Sequence, residues 1–191
     1  MLAILAEKLG TDINREDGAG LRPLVLAARN GHIAVIKLLI ARPGTKINLS
    51  DRSHRNPLTA AVEAGQSEVV ELLLSNNQID VNLPDDNGRL PISLAAETGH
   101  IGITRILLGA REIDIKLQDG SGLKPLAWAA HNGHVAIVKK LLATGQADTT
   151  SKDCMGRSPL TWAELHRHAE VVQVLQKHQF EGSGEFRGSS S

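Results

Sequence analysis

Histidine is the residue best placed to do chemistry in this sequence, because an imidazole can ligate a metal ion or transfer a proton near neutral pH. Eight histidines are present among 191 residues. His166 and His168 are two residues apart on a predicted helix, where side chains do not face each other. The sequence also has no H-E-x-x-H and no paired C-x-x-C. No zinc site is therefore predicted.

Other catalytic signatures are absent from the sequence. It contains no G-x-G-x-x-G, no P-loop and no nucleophile elbow. Cys154 is the single cysteine, so no disulfide can form within the chain, and a reducing intracellular setting, most simply the cytoplasm, is favoured. Cys154 lies in a predicted turn and is interpreted as an ordinary exposed thiol. We expect neither enzyme activity nor a cofactor.

The composition limits the classes of partner. Lys+Arg and Asp+Glu number 21 each, so the chain has no global field to hold nucleic acid or an anionic membrane. No apolar run approaches the roughly 18–20 residues that span a bilayer. Aromatic residues make up only 2%, which favours helices packed through Leu, Val, Ile and Ala over a pocket walled by rings. We therefore predict no nucleic-acid partner and no membrane association.

A repeat of 34 residues must supply the elements that position these side chains. In each copy an aspartate opens a turn, a glycine (His54 in the second copy) closes it, and a proline then begins a helix, where its missing N–H has no cost. The closing position requires a positive φ, which glycine adopts freely and histidine tolerates. Apolar residues three and four apart predict two helices per repeat. The aspartates and prolines are Asp17, Asp51, Asp85, Asp119 and Asp153, and Pro23, Pro57, Pro91, Pro125 and Pro159.

Neither helix of one repeat can bury its apolar face alone, so the repeats must stack. The predicted fold class is an all-α solenoid of helix–turn–helix units joined by hairpin-like turns. Residues 1–15 are predicted to be the second helix of a truncated repeat, and residues 182–191 a flexible, Gly/Ser-rich tail that is excluded from function. The repeats between them are predicted at 16–49, 50–83, 84–117, 118–151 and 152–181.

The pattern D-x-x-G-x-x-P-L-x-x-A-A-x-x-G-H-x-x-x-V-x-x-L-L resembles the ankyrin repeat, and it recurs along nearly the whole chain. The segments LAWAA and LTWAE are similar to those in the ankyrin arrays of fungal NACHT-type receptor-like proteins. The family's Thr-Pro-Leu-His is nowhere intact, and only Asn56 and Ser158 are good N-caps at the Thr position. The resemblance implies that the histidines of the Gly-His position bridge backbone between neighbouring repeats. These are His32, His100, His134 and His168.

The resemblance also implies that a protein partner is bound by the turn tips and first helices, which form a concave face. Trp128 and Trp162 are assigned to core packing. Arg55 and Arg89 stand one period apart and favour a partner with an acidic segment. Alternatively, these arginines only neutralise neighbouring carboxylates. The candidate partner-binding residues are Arg52, Arg55, Glu63, Asp86, Arg89, Glu97, Leu123, His131 and Arg157.

The sequence thus predicts a non-enzymatic protein–protein interaction module, acting as the recognition segment of a larger intracellular protein. The alternative is a structural spacer, or a fragment that associates weakly with copies of itself through its truncated N-terminal end. Leu2, Leu5 and Leu9 have no preceding helix to cover them in that case.

Overall fold

The computed structural model describes residues 12–184, and this part of the chain contains ten α-helices and no strand, which confirms the all-α prediction. The helices form five consecutive pairs. The predicted N-terminal half-repeat lies almost wholly outside the described residues, and the last helix continues three residues into the predicted tail. The helices are α1 Pro23–Arg29, α2 Ile33–Ile40, α3 Pro57–Glu63, α4 Ser67–Leu74, α5 Pro91–Thr98, α6 Ile101–Leu108, α7 Pro125–His131, α8 Val135–Leu142, α9 Pro159–Leu165 and α10 Ala169–Gly184.

The first helix of each pair begins at the proline of the repeat. Asn56 caps α3 by accepting a hydrogen bond from the backbone N–H of Thr59 at 2.9 Å. Ser158 caps α9 in the same way, from Thr161 at 3.2 Å. Arg22 and Lys124 make no side-chain cap, as predicted from their residue types.

The turn before each of these helices is organised by its aspartate. The Oδ1 atom of Asp85 accepts from the backbone N–H groups of Asn87 and Arg89 at 3.0 and 2.9 Å. Asp17, Asp119 and Asp153 repeat this pair of bonds. His54 has φ +64°, so the predicted left-handed position is confirmed. A short polar side chain therefore fixes each tip without a β-strand ladder.

The chain divides into two compact units, whose core positions hold the same residue types. The described part of unit 1 is residues 12–91 with Arg105–Ile113, and that of unit 2 is Ile92–Thr104 with residues 114–184. In unit 1, α1 packs on α3 and α2 on α4, and in unit 2, α7 packs on α9 and α8 on α10. One leucine column of the second helices is fully buried, at Leu73, Leu107, Leu141 and Leu175.

At three of the junctions between repeats, a side chain of the later repeat bonds to the C-terminal end of the preceding first helix. The Nε2 atoms of His134 and His168 donate to the carbonyl oxygens of Glu97 and His131, each at 3.0 Å, which confirms the predicted bridging role for these two histidines. In unit 1 the amide of Gln66 makes the equivalent bond to Arg29 O at 3.2 Å.

Asparagines of unit 1 link successive loops in a way that sequence reasoning did not find. The Nδ2 atoms of Asn14, Asn48 and Asn82 donate to carbonyl oxygens about one repeat later, at 2.8, 2.8 and 2.6 Å. In unit 2 the same column holds Lys116 and Thr150. The column itself was visible in the sequence, because its members are spaced by the repeat length.

Candidate functional site

The turn tips and first helices, here called the tip face, carry the predicted binding residues. In unit 1 this face is dominated by ion pairs. Arg55 makes a two-pronged contact with Glu63, through a short Nε–Oε2 contact and an Nη2–Oε1 bond of 2.8 Å. Arg89 approaches the same carboxylate, with Nη1 at 3.7 Å from Oε1. Both arginines that were predicted to bind a partner are thus paired with a carboxylate of the same chain, as the alternative interpretation requires.

Arg89 is also committed to its own turn. Its Nε and Nη2 donate to Asp85 Oδ2 at 3.0 and 2.8 Å, and the Asp85 side chain is completely buried. The hydrogen bond from Arg55, the charge of Arg55 and the charge of Arg89 lower the pKa of Glu63, more than burial raises it. The same bond to Glu63 raises the pKa of Arg55. This part of the face therefore presents compensated charge.

Arg52 and Asp86 lie at the tips themselves and are exposed. Arg52 Nε is 3.6 Å from a carboxylate oxygen of Glu16, and His54 Nδ1 is 3.6 Å from Asp86 Oδ2. Backbone bonds join these tips, since Arg52 N donates to Gly20 O at 2.9 Å and Asp86 N to His54 O at 3.0 Å. The tips are therefore fixed in position while their side chains reach water.

In unit 2 the prediction for Leu123 is wrong. Its side chain is only 6% exposed and packs with Ala127 and Trp162, because a leucine can enter the core at a tip position that holds Arg55 and Arg89 in the two preceding repeats. Trp162 is buried, as predicted, whereas Trp128 is only partly buried at the edge of this cluster. Each indole Nε1 donates to the aspartate of its own turn, Trp128 to Asp119 and Trp162 to Asp153.

Four rings of unit 2, here called the ring cluster, come together on the tip face: Trp128, His131, Trp162 and His166. The centroid of the His131 ring is 5.8 Å from Trp128, 4.5 Å from Trp162 and 4.2 Å from His166. His166 stacks on Trp162 at 5.6 Å. The cluster combines residues from two neighbouring repeats, and the contacts between the repeats join residues 31 or 35 positions apart, which gives no local signal in the sequence.

Arg157 completes the cluster as a cation lying over an indole. Its Cζ atom is 3.7 Å from the Trp162 ring centroid, and its Nε donates to Asp153 Oδ2 at 3.0 Å. Burial raises the pKa of Asp153, but bonds from the backbone N–H groups of Arg157 and Met155 lower it by more. Arg157 is thus held rigidly, which suits a guanidinium that presents its outer edge to a ligand.

The expectation that His166 and His168 do not face each other is also wrong. Helix α9 ends at Leu165, and the two rings stack with centroids 6.1 Å apart and planes inclined by 12°. Removal of water around the ring, together with nearby His131, His168 and Arg157, lowers the pKa of His166. Even so, residues 12–184 contain no group of three or more His, Cys, Asp or Glu residues arranged to hold a metal ion.

Glu97 and Cys154 lie outside the ring cluster. Glu97 is partly buried, one repeat before His131 in the same column, and its carbonyl oxygen accepts the bond from His134. Cys154 is exposed, as predicted. None of the ten helices between residues 12 and 184 is both long and apolar enough to cross a bilayer.

Comparison with known families decides what this repeat is. A family model described as "Ankyrin repeats (3 copies)" matches residues 1–85, 24–119 and 92–183. The chain belongs to the ankyrin repeat family. Ankyrin repeats are generally protein–protein interaction modules and typically not enzymes. No curated protein matches the chain in a search of such sequences.

The fifth ankyrin repeat differs from the others on the surface that a further repeat would cover. In each of the first four repeats one alanine or valine of the first helix is fully buried, whereas the fifth has exposed Glu164 in that column. Arg167, also exposed, takes the left-handed position that glycine holds in the other repeats, at φ +59°. Self-association through this surface would bury both charges. The N-terminal surface proposed for self-association lies outside the described residues.

Proposed function

We propose that this ankyrin repeat protein binds another protein through its tip face, with the contact centred on the fourth and fifth repeats. The observation that supports this most directly is the exposure of large apolar side chains beside the ring cluster. Met155 is 71% exposed and Leu165 is 61% exposed. Both belong to the columns through which the family is expected to bind its partners.

This arrangement has the composition of a protein interface. Interface centres are enriched in Trp, Met and Arg and are surrounded by a polar rim. The ring cluster, Arg157, Met155 and Leu165 supply such a centre. A role within a larger intracellular protein stays a prediction.

Site-specific photo-crosslinking tests the position of the contact. A photoreactive phenylalanine analogue at Leu165 is compared with one at Leu38, which is 54% exposed but lies on the second helix α2. We expect a cross-linked partner from Leu165 and none from Leu38 in extracts of the source cells. The reverse result would place the interface on the second helices and overturn the proposal.

The captured partner then allows affinity to be measured. Leu165→Glu should weaken binding at least tenfold, or about 1.4 kcal/mol, and Leu38→Glu should leave affinity unchanged. Light scattering over a dilution series supplies the check on the alternative function. A monomer at micromolar concentrations supports the proposal, whereas concentration-dependent dimers sealed by the cross-linker at Leu165 would identify a second copy as the occupant.

A further inference from the structure

The ring cluster places three basic side chains around one indole. His131, at the end of α7, and His166, the C-cap of α9, have ring centroids 4.2 Å apart, and both lie against Trp162. Arg157 lies over the same indole at 3.7 Å. Side chains of like charge in contact repel each other, so this grouping is favourable only while the imidazoles are neutral or when an anion joins them.

The carboxylates that contact the cluster are already committed to internal donors. Asp153 accepts from the Trp162 indole at 3.1 Å, from Arg157 Nε and from two backbone N–H groups. Asp119 accepts from the Trp128 indole and two backbone N–H groups, and is buried. Neither can turn outwards to neutralise a protonated imidazole without losing these bonds.

The remaining titratable groups around the imidazoles include basic and acidic side chains. His168 stacks on His166, and Arg157 lowers the pKa of His166 through its charge. On the acidic side, Glu97 stands one repeat before His131, and Glu164 is two residues from His166 on α9. In addition, His131 Nδ1 is shielded from water and has no hydrogen-bond partner among the described residues.

We propose that His131, His166 and Arg157 form a binding site for carboxylates of an acidic partner segment, and that binding strengthens as the pH falls. This inference rests on the proposed function and specifies its partner. A carboxylate beside the two imidazoles supplies a counter-charge when they are protonated, so complex formation takes up a proton. Arg157 leaves its two terminal nitrogens for a bidentate contact, since it gives Nε to Asp153.

The two tryptophans of the chain, Trp128 and Trp162, both belong to the ring cluster, so intrinsic fluorescence reports on this site. The probe is a capped peptide of six glutamates, with six glutamines as the uncharged control, titrated at constant ionic strength. We expect the hexaglutamate affinity to rise about threefold to tenfold between about pH 7.5 and pH 5.5, and the hexaglutamine peptide not to bind.

Variants assign the effect to the two histidines. His131→Gln combined with His166→Gln should remove the pH dependence, whereas His32→Gln, at an exposed position in unit 1, should preserve it. Because the double variant could perturb folding, the imidazole resonances of the unmodified chain provide a second readout. Hexaglutamate should raise the pKa of His166 and hexaglutamine should not.

The proposal would be overturned by hexaglutamate binding with no pH dependence, by retention of the pH dependence in the double variant, or by a stronger response to an RNA oligonucleotide of equal charge. A failure of hexaglutamate to bind at any pH would also reject the carboxylate site. If Leu165 still cross-links a protein partner in that case, the proposed function survives without this specification.

Discussion

The two units have cores of the same kind but differ on the tip face. In unit 1 the tip face holds Arg55 and Arg89 against Glu63 and the buried Asp85. In unit 2 the corresponding surface holds stacked rings, and the turn carboxylates Asp119 and Asp153 accept hydrogen bonds from indole N–H groups. One repeat pattern therefore supports two surfaces, one with compensated charge and one with aromatic and basic rings in contact.

The difference between the units shows that an arginine in a predicted binding column does not by itself indicate a binding site. Arg89 and Arg157 occupy the same column and both contact the aspartate of their turn. Arg89 has a second carboxylate, Glu63, within 3.7 Å, whereas Arg157 has an indole. Exposed ion pairs contribute little to stability, and compensated ones offer little to a partner, so the neighbour of each arginine decides its role.

The largest expected effect on stability tests whether the cores of the two units are equally sensitive to the loss of a buried leucine. Leu73→Ala in unit 1 and Leu141→Ala in unit 2 each remove a fully buried side chain from the same column. Each should cost about 2–5 kcal/mol, by lost burial and the cavity that remains. Urea unfolding followed by circular dichroism measures both. Gln176→Ala, at an exposed position of α10, is the control and should cost less than about 0.5 kcal/mol.

A second, somewhat smaller effect on stability compares the units at the glycines that contact the bridging side chains His168 and Gln66. A Cβ atom at Gly133 would lie 2.5 Å from the His168 ring, whereas at Gly31 it would meet the flexible end of Gln66 at 2.7 Å. Gly133→Ala should cost about 2–4 kcal/mol, from its left-handed φ of +73° and the displaced imidazole bridge.

The matched control for this prediction is Gly145→Ala, where φ is +67° and a Cβ atom meets nothing within 4 Å. It should cost about 1–2 kcal/mol from the backbone alone. Gly31→Ala should fall between the two, because Gln66 can move aside. Equal midpoints for all three variants in urea would show that the rigid imidazole bridge gives unit 2 no special sensitivity.

The sequence predicted the framework because each framework residue acts locally or at a fixed period. The prolines, the turn aspartates and the left-handed His54 could be found from spacing alone. The site could not, since its character depends on which side chains meet between repeats. Leu123 was placed on the surface but is buried, and the contact of His131 with His166 joins different columns of adjacent repeats.

A third effect, smaller again, tests the internal pairing of unit 1. Arg89→Met leaves the buried carboxylate of Asp85 with only its backbone donors, and should cost about 1–3 kcal/mol. Arg52→Met removes a charge that is 73% exposed and 3.6 Å from its partner, and should change stability by less than about 0.5 kcal/mol. Thermal melts at equal pH compare the two. A neutral Arg89→Met would return that arginine to the set of candidates for partner binding.

The smallest effect separates the two faces by pH. The pKa of His166 is lowered from 6.5 and that of Glu63 from 4.5, so in each case the unfolded chain binds more protons as the pH falls through the ordinary value. Protonation of His166 in the folded chain therefore lowers stability as the pH falls below about 6.5, whereas the stabilisation by ionised Glu63 is lost only below about 4.5.

This difference in pH range can be measured from the melting temperatures of His166→Gln and Glu63→Gln. Each variant is compared with the unmodified chain at a series of pH values. His166→Gln should reduce the loss of stability between about pH 7 and pH 5.5 and leave the more acidic loss in place. Glu63→Gln should have the opposite pattern. If both variants altered the same pH range, the ring cluster and the ion pairs would be electrostatically coupled, and the contrast between a compensated face and an available one would fail.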